Sequence, residues 1–188
     1  REVKTAAPSL PAEFDEAAPK TLGFSPLPDR DGYAPKAGFV ASLPAGFDPK
    51  TRRAWHLHCA GAIAMARNDG RDTAGTEFYV ALQPQRYLDR NLTVFGRVVG
   101  GMEHLQALRR VEPPRSADDD LGETILSMKV AADVAPEKRS LLEMLRSGTP
   151  AFDAYVEARR NRPEGFFYFR PNHIDVCQFP APVREAGE

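Results

Sequence analysis

The chain has 188 residues, 42% of them hydrophobic, which is enough to bury the core of one domain. Its 25 basic and 26 acidic side chains leave a net charge of -1, so neither a nucleic-acid-binding surface nor a polybasic membrane patch is indicated. No apolar run approaches the roughly 18 residues of a membrane span, and we therefore expect a soluble protein.

The N-terminus lacks the basic segment followed by an apolar one that marks a secretory signal peptide. The first residue is Arg1 rather than Met, which is typical of a processed or partial chain, so any targeting segment upstream lies outside this sequence. The location of the protein stays open, with a periplasmic or secreted location favoured over a cytoplasmic one. Cys59 and Cys177 could pair in an oxidising compartment, but two cysteines so far apart are more often independent buried thiols, which is the prediction.

Residues 1–50 are rich in proline and glycine, which predicts mostly loop. Only two short pieces, Leu10 to Phe14 and Gly38 to Leu43, fit strands. Because a long stretch without regular structure needs a neighbouring body to lie against, we expect it to pack on the rest of the chain.

Regular structure is predicted after Thr51, where β-branched, aromatic and alternating apolar residues indicate several strands. The predicted strands are residues 55–59, 62–66, 76–82 and 93–99. Met102, Leu105 and Leu108 then recur at helical spacing, which predicts a short amphipathic helix. Pro113 to Asp120 is expected to be an exposed loop, with Asp118 to Asp120 a solvated turn rather than a calcium site.

A further strand is predicted where Leu126, Met128, Val130 and Ala132 share one face. We place a domain boundary after it, with residues 1–134 as the main domain and residues 135–188 as a C-terminal extension packed on it. The extension is predicted to contain two helices and a hairpin. These are a helix over residues 136–146, a second helix that begins at Thr149-Pro150 and directs Phe152, Tyr155 and Val156 to the core, and strands at residues 166–170 and 174–179.

Four sequence blocks carry the identification of the main domain. They are Gly61-Ala62-Ile63-Ala64-Met65-Ala66-Arg67, Ala74-Gly75-Thr76-Glu77-Phe78-Tyr79-Val80, Tyr87-Leu88-Asp89, and Thr93-Val94-Phe95-Gly96-Arg97-Val98 followed by Gly101-Met102. In this order and spacing they resemble the cyclophilin family of peptidyl-prolyl cis-trans isomerases, in a bacterial-like form. The resemblance is close over Ala60 to Val111 and looser from Leu10 to Val134.

The resemblance implies a mainly antiparallel β-barrel closed by short helices, whose N-terminal strands are missing from this chain. It also implies an isomerase that assists the folding of proline-containing polypeptides and needs no cofactor or metal. The expected partners are proline-containing peptides or unfolded proteins, while the oligomeric state stays open. Rotation about an X-Pro bond crosses a barrier of roughly 18–20 kcal/mol, so such a site must hold the proline and place a hydrogen-bond donor near its nitrogen.

The resemblance assigns a substrate-binding groove whose residues come from all four blocks. An apolar pocket maps onto Tyr79, Leu88 and Leu92, with Met65 and Phe95 near its walls. Main-chain groups of Ala66 and Arg67 fall where the family binds the extended substrate. Glu77 stands where a glutamine is usual and Tyr87 where a tryptophan is frequent.

Several departures from the family pattern bear on activity. Leu92 replaces a histidine that is common in eukaryotic members, Glu77 adds a charge beside the groove, and Tyr79 adds a hydroxyl to a phenylalanine. The Phe-His-Arg segment that carries the family's catalytic arginine is absent and is expected upstream of Arg1. The catalytic residue is therefore unknown, and neither Arg30 nor Arg67 is nominated for it.

Two alternatives stay open at this point. The first is a catalytically weak binding module that holds proline-containing segments without isomerising them, which the altered groove residues favour. The second is a metal site at His56-x-His58, where two imidazoles would share one face of a strand, although no further ligand pair stands at a typical spacing. The simpler interpretation is that both histidines are polar strand residues facing solvent.

Overall fold

The fold of the described residues is mainly β. In a computed structural model of the protein, these residues are 9–112, 120 and 122–187. The strands are β1 (Glu16–Ala17), β2 (Phe24–Pro26), β3 (Lys36–Val40), β4 (Leu43–Asp48), β5 (Arg53–His56), β6 (Ala62–Met65), β7 (Phe78–Val80), β8 (Val94–Arg97), β9 (Leu142–Met144) and β10 (Val183–Glu185). The α-helices are α1 (Met102–Ala107) and α2 (Pro150–Asn161). Within these described ranges, no helix has the length and apolar surface that crossing a bilayer would require.

The first sheet is antiparallel and has the order β1-β5-β4-β3-β2. Residues 1–50, predicted to be mostly loop, contribute β1 to β4 to it. The predicted strand at Gly38 to Leu43 is right only for Gly38 to Val40, which lie in β3, because Ala41 and Ser42 have φ angles of 48° and 66° and turn the chain into β4. Of the predicted strand at Leu10 to Phe14, only Leu10 forms a bridge, to Ala74.

The second sheet has the order β7-β6-β8 and contains the strands of the motif blocks. The strands predicted over residues 62–66, 76–82 and 93–99 are confirmed in position, although each is shorter than predicted. The helix predicted after Gly101 is also confirmed, as α1. Because β6 is central, its residues Ala62 and Ala64 are buried between the neighbouring strands and the core.

The sheets do not close into a barrel within the described residues, which corrects that part of the expectation for this chain. Phe78 of β7 and Phe95 of β8 are consequently exposed, by 38% and 56%. The strand predicted from Leu126 to Ala132 is wrong as well, since residues 123–130 are exposed and lie outside any described strand. An alternating pattern forms a strand only where a hydrogen-bonding neighbour exists.

One apolar core joins the first sheet to the C-terminal segment. Phe39 of β3 packs edge-to-face against Phe152 of α2 and against Phe179, with ring centroids 5.0 Å and 5.2 Å apart. Cys59 and Cys177 lie in the same core and form a disulfide, so the prediction of independent thiols is wrong. The boundary proposed after residue 134 stays a prediction, and the two segments on either side of it share this core.

The C-terminal segment differs from its predicted elements. The helix beginning at Thr149-Pro150 is confirmed, with the Thr149 hydroxyl accepting a hydrogen bond from the main-chain N–H of Phe152. The helix predicted over residues 136–146 is wrong, because β9 lies within it and pairs with β10. The predicted hairpin is wrong too, since residues 166–169 lie outside any strand, with Phe166, Tyr168 and Phe169 exposed, and residues 176–178 form a 3-10 turn.

Candidate functional site

The structure brings three of the predicted groove residues together around one open groove of about 590 Å³. Tyr79 reaches it from β7, while Tyr87 and Leu88 belong to the 3-10 turn Arg86–Leu88. The far side of the groove is formed by Gln106 of α1 and by Arg110. The lining combines aromatic and aliphatic side chains with polar ones, which suits a ligand that carries both apolar and polar groups.

Of Tyr79, Tyr87 and Leu88, which line the groove, Tyr79 is the residue whose polar atom is enclosed. Its hydroxyl is buried and has no hydrogen-bond partner among the described residues. Burial, together with the neighbouring Tyr87 and Asp89, raises the pKa of Tyr79 to about 12. The phenol therefore stays neutral around pH 7, and the residue contributes a ring face rather than a titrating group.

His58 holds the turn that carries Tyr87 and Leu88. Its main-chain oxygen accepts a hydrogen bond from Gln85 N at 2.8 Å, and its main-chain N–H donates to Asp89 Oδ1 at 2.8 Å. Both ends of the turn are thus attached to one residue. The His58 ring also lies parallel to the Tyr79 ring, with centroids 6.3 Å apart and an interplanar angle of 15°.

Sequence reasoning missed a buried ion-pair network beneath this turn. The Arg86 guanidinium contacts Asp31 at 2.8 Å and 2.9 Å and Asp89 at 2.5 Å. The spacing of Arg86 and Asp89, three residues apart, is a signal for a local ion pair. No comparable signal links Arg86 to Asp31, because 55 residues separate them.

The end of β6 offers a main-chain edge for a bound peptide. The Met65 N–H donates to Thr93 O at 3.0 Å and the Ala66 N–H to Glu77 O at 2.9 Å, so both donors are used inside the sheet. The main-chain N–H and C=O of Arg67 make no hydrogen bond with any described residue. Among residues 9–112, 120 and 122–187, these two groups of Arg67 are thus donor and acceptor without a protein partner.

The side chain of Arg67 stabilises the loop beside this edge instead of pointing freely outward. Its Nε donates to Asn91 O at 3.1 Å and its Nη1 to Asn68 O at 2.7 Å. The guanidinium also lies 5.4 Å from the centroid of the Phe14 ring. The Arg67 side chain thus stabilises the loop, while its main chain lies at the candidate binding edge.

The remaining predicted groove residues lie apart from the groove of Tyr79. Phe95 lines a separate cavity of about 250 Å³ with Phe14 and Trp55. Leu92 and Met65 are half-buried and do not line the groove, and the side chain of Glu77 is exposed.

The histidine pair of the metal hypothesis is split between two environments. His56 ends β5 and is half-buried, while His58 is fully buried with its Nδ1 3.2 Å from Asp89 Oδ1. The interpretation of His58 as a solvent-facing strand residue is therefore wrong. Across residues 9–112, 120 and 122–187, no three His, Cys, Asp or Glu side chains are grouped as a metal centre requires.

Comparison with known proteins gives a family and a fold. The family model described as cyclophilin type peptidyl-prolyl cis-trans isomerase/CLD matches residues 9–130. Among the relatives, peptidyl-prolyl cis-trans isomerase 4 of Caenorhabditis elegans is 40% identical over 58 residues, which are 31% of this chain and 11% of that protein. Peptidyl-prolyl cis-trans isomerase B of Bacillus subtilis is 46% identical over 48 residues, which are 26% of this chain and 33% of that protein. The chain thus matches a third or less of the length of these two relatives.

A solved structure has the same fold. The crystal structure of the cyclophilin AquaCyp293 from Hirschia baltica superposes with a TM-score of 0.72 and 23% sequence identity. The superposition covers 94% of this chain and 65% of that one.

Proposed function

We propose that this chain, which belongs to the family of cyclophilin-type peptidyl-prolyl cis-trans isomerases, supplies the peptide-binding part of a protein that isomerises X-Pro bonds. The observation that supports this is the family match over residues 9–130, within which Tyr79, Tyr87 and Leu88 lie around one groove. The substrates would be proline-containing segments of peptides or unfolded proteins.

The geometry is suited to the needs of this reaction. An isomerase must bind the proline ring on an apolar surface and fix the flanking main chain, since twisting the bond requires no nucleophile. The rings of Tyr79 and Tyr87 and the side chain of Leu88 offer apolar contacts, and the main-chain groups of Arg67, which bond no described residue, would serve as donor and acceptor for the flanking chain. The donor to the proline nitrogen stays unassigned in these 188 residues.

We further propose that additional strands of the whole protein close the barrel of the family around the second sheet. Exposed Phe78 and Phe95, the 250 Å³ cavity beside Phe95 and the exposed apolar side chains between Ile125 and Val130 support this. Each is an apolar or main-chain surface that a neighbouring strand would cover.

A periplasmic or secreted location is proposed on the basis of the cysteines. Cys59 and Cys177 form a buried disulfide, and such bonds persist in oxidising compartments but are rare in the cytosol. Fractionation of the source cells tests this, and recovery of the protein in the cytosolic fraction alone would contradict it.

A protease-coupled proline-isomerisation assay on the full-length protein tests the activity, run with and without a chelator. We expect turnover above the spontaneous rate and no effect of the chelator, because the proposed chemistry uses positioning and hydrogen bonding alone. Peptide binding without turnover would favour the binding module, to which the replacements at Glu77 and Leu92 point. Loss of turnover on chelation would support the hypothesis of a metal site at His56 and His58. The absence of both peptide binding and turnover would contradict the proposal.

A further inference from the structure

A buried network of charges lies directly beneath the groove. The side chains of Asp31, Arg86 and Asp89 are only 4%, 5% and 7% exposed. Arg86 lies between the two carboxylates, with a bidentate contact to Asp31 and a single contact from its Nε to Asp89 Oδ2. Bidentate arginine–carboxylate pairs fix orientation as well as distance, so the position of Arg86 is set from two sides.

Hydrogen bonds favour the ionised forms of Asp31 and Arg86. Burial alone would raise the pKa of Asp31, but hydrogen bonds from Arg86 and from the main-chain N–H groups of Tyr33 and Ala34 outweigh it and lower the pKa. Burial alone would likewise lower the pKa of Arg86, and its bonds to Asp31 and Asp89 raise it instead. Neutralising Asp31 leaves Arg86 paired with Asp89 alone, so the guanidinium loses one of the two sides that fix its position.

The network reaches two walls of the groove. Arg86 is the first residue of the 3-10 turn that continues into Tyr87 and Leu88, so the orientation of its side chain constrains that turn. Asp89 closes the turn and bonds His58, whose ring lies parallel to the Tyr79 ring. A displacement of Arg86 is therefore transmitted both to the turn and, through Asp89 and His58, to Tyr79.

We propose that Asp31 is a positioning residue for the groove, acting through Arg86 to set the turn that carries Tyr87 and Leu88. Asp31 lies in the loop between β2 and β3, outside the residues that line the groove. This inference rests on the proposed function, because its consequence is the affinity of the groove for proline-containing peptides.

The same loop provides a matched control in Asp29. Its carboxylate also forms a buried bidentate pair, with Arg160 at 2.8 Å and 3.0 Å and exposures of 6% and 11%. Arg160 belongs to α2 and further donates to Asn172 O, away from the groove. Asp29 and Asp31 thus form the same kind of ion pair, but Arg86 belongs to the turn beside the groove and Arg160 belongs to α2, away from it.

The test compares Asp31→Asn with Asp29→Asn in the full-length protein. Melting temperature, peptide affinity, kcat and KM are measured for both, together with the NMR resonances of the Leu88 methyl groups and the Tyr79 ring. We expect both variants to melt at lower temperature, but only Asp31→Asn to raise Kd and KM by roughly tenfold with a smaller effect on kcat, and to shift the Leu88 and Tyr79 resonances. Asp31→Glu, which keeps the charge one methylene further out, is expected to fall between wild type and Asp31→Asn.

Equal peptide affinity in the Asp29→Asn and Asp31→Asn proteins, or Leu88 and Tyr79 resonances that do not respond to Asp31→Asn, would overturn the proposal. If Asp31→Asn does not fold, Asp31→Glu replaces it, and wild-type affinity with unshifted resonances in that variant would overturn the proposal equally. A wild-type protein that neither binds nor isomerises peptides contradicts the proposed function instead. The resonances of Leu88 and Tyr79 then still decide whether Asp31 positions the groove.

Discussion

The Tyr79 side chain contributes to the groove through its ring, because its hydroxyl is buried, unpartnered among the described residues and neutral. Tyr79→Ala removes that wall and is expected to weaken peptide binding by up to about 3–5 kcal/mol, the scale of large aromatic truncations. Tyr168→Ala is the control, since Tyr168 is fully exposed, lies outside the groove and undergoes the same chemical change. Titration calorimetry with a proline-containing peptide measures both variants, and unchanged affinity in Tyr79→Ala would place the groove elsewhere.

At the residue scale, the family resemblance named the candidate groove residues, whose role in peptide binding stays a prediction, and long-range contacts decide where they lie. Tyr79, Tyr87 and Leu88 belong to motif blocks whose order identified them, and they do lie around one groove. Phe95 belongs to the fourth block and Leu92 precedes it, but both lie apart from the groove, as a position in or beside a motif does not fix the direction of a side chain. The pairing of Asp31 with Arg86 was not predictable, since it depends on the path of a loop 55 residues away.

Helix α2 illustrates what a single element contributes to the core. Phe152 is 1% exposed and packs between Phe39 and Tyr155. Phe152→Ala is expected to lower the free energy of unfolding by about 3–5 kcal/mol, because the cavity it leaves is enclosed by rigid rings. Chemical denaturation measures this loss.

The control for Phe152→Ala is the same substitution at an exposed ring. Phe166 is 81% exposed, so Phe166→Ala is expected to change stability by no more than about 0.5 kcal/mol. Similar losses in the two variants would contradict the burial of Phe152 in the core.

At the element scale, the predictions succeeded where the signal was local. Thr149 caps the start of α2 and Pro150 fixes the φ angle of its first residue, and both signals are read from adjacent residues of the sequence. The helix predicted over residues 136–146 is wrong because that range contains β9. This strand forms by pairing with β10, some 41 residues later in the chain. The hairpin predicted over residues 166–179 is wrong because aromatic composition favours a strand but does not supply the neighbouring strand with which it must pair.

The whole molecule is held together by contacts between its two predicted segments. Besides the shared core, Arg160 of α2 bonds Asp29, and Ser42 in the β3–β4 turn exchanges hydrogen bonds with Ser147. The disulfide adds a covalent link between residues 118 positions apart. The sequence predicted that the C-terminal segment packs on the main domain, but not which residues meet, because composition alone does not specify the partners of Ser42, Asp29 and Cys59.

The disulfide is expected to stabilise the whole molecule chiefly by restricting the unfolded chain. A loop of 118 residues is long, and closing it in the unfolded state removes conformational entropy worth about 5 kcal/mol, of which a net stabilisation of about 2–4 kcal/mol, or about 5–15 °C in melting temperature, is expected. Calorimetry of the protein refolded with and without reductant measures this difference.

The control is the double variant Cys59→Ala/Cys177→Ala. Its melting temperature should lie near that of the reduced wild type and should not change with reductant, because its two cysteines are gone. A wild-type melting temperature that does not respond to reduction, or two titratable thiols in protein prepared without reductant, would contradict the pairing.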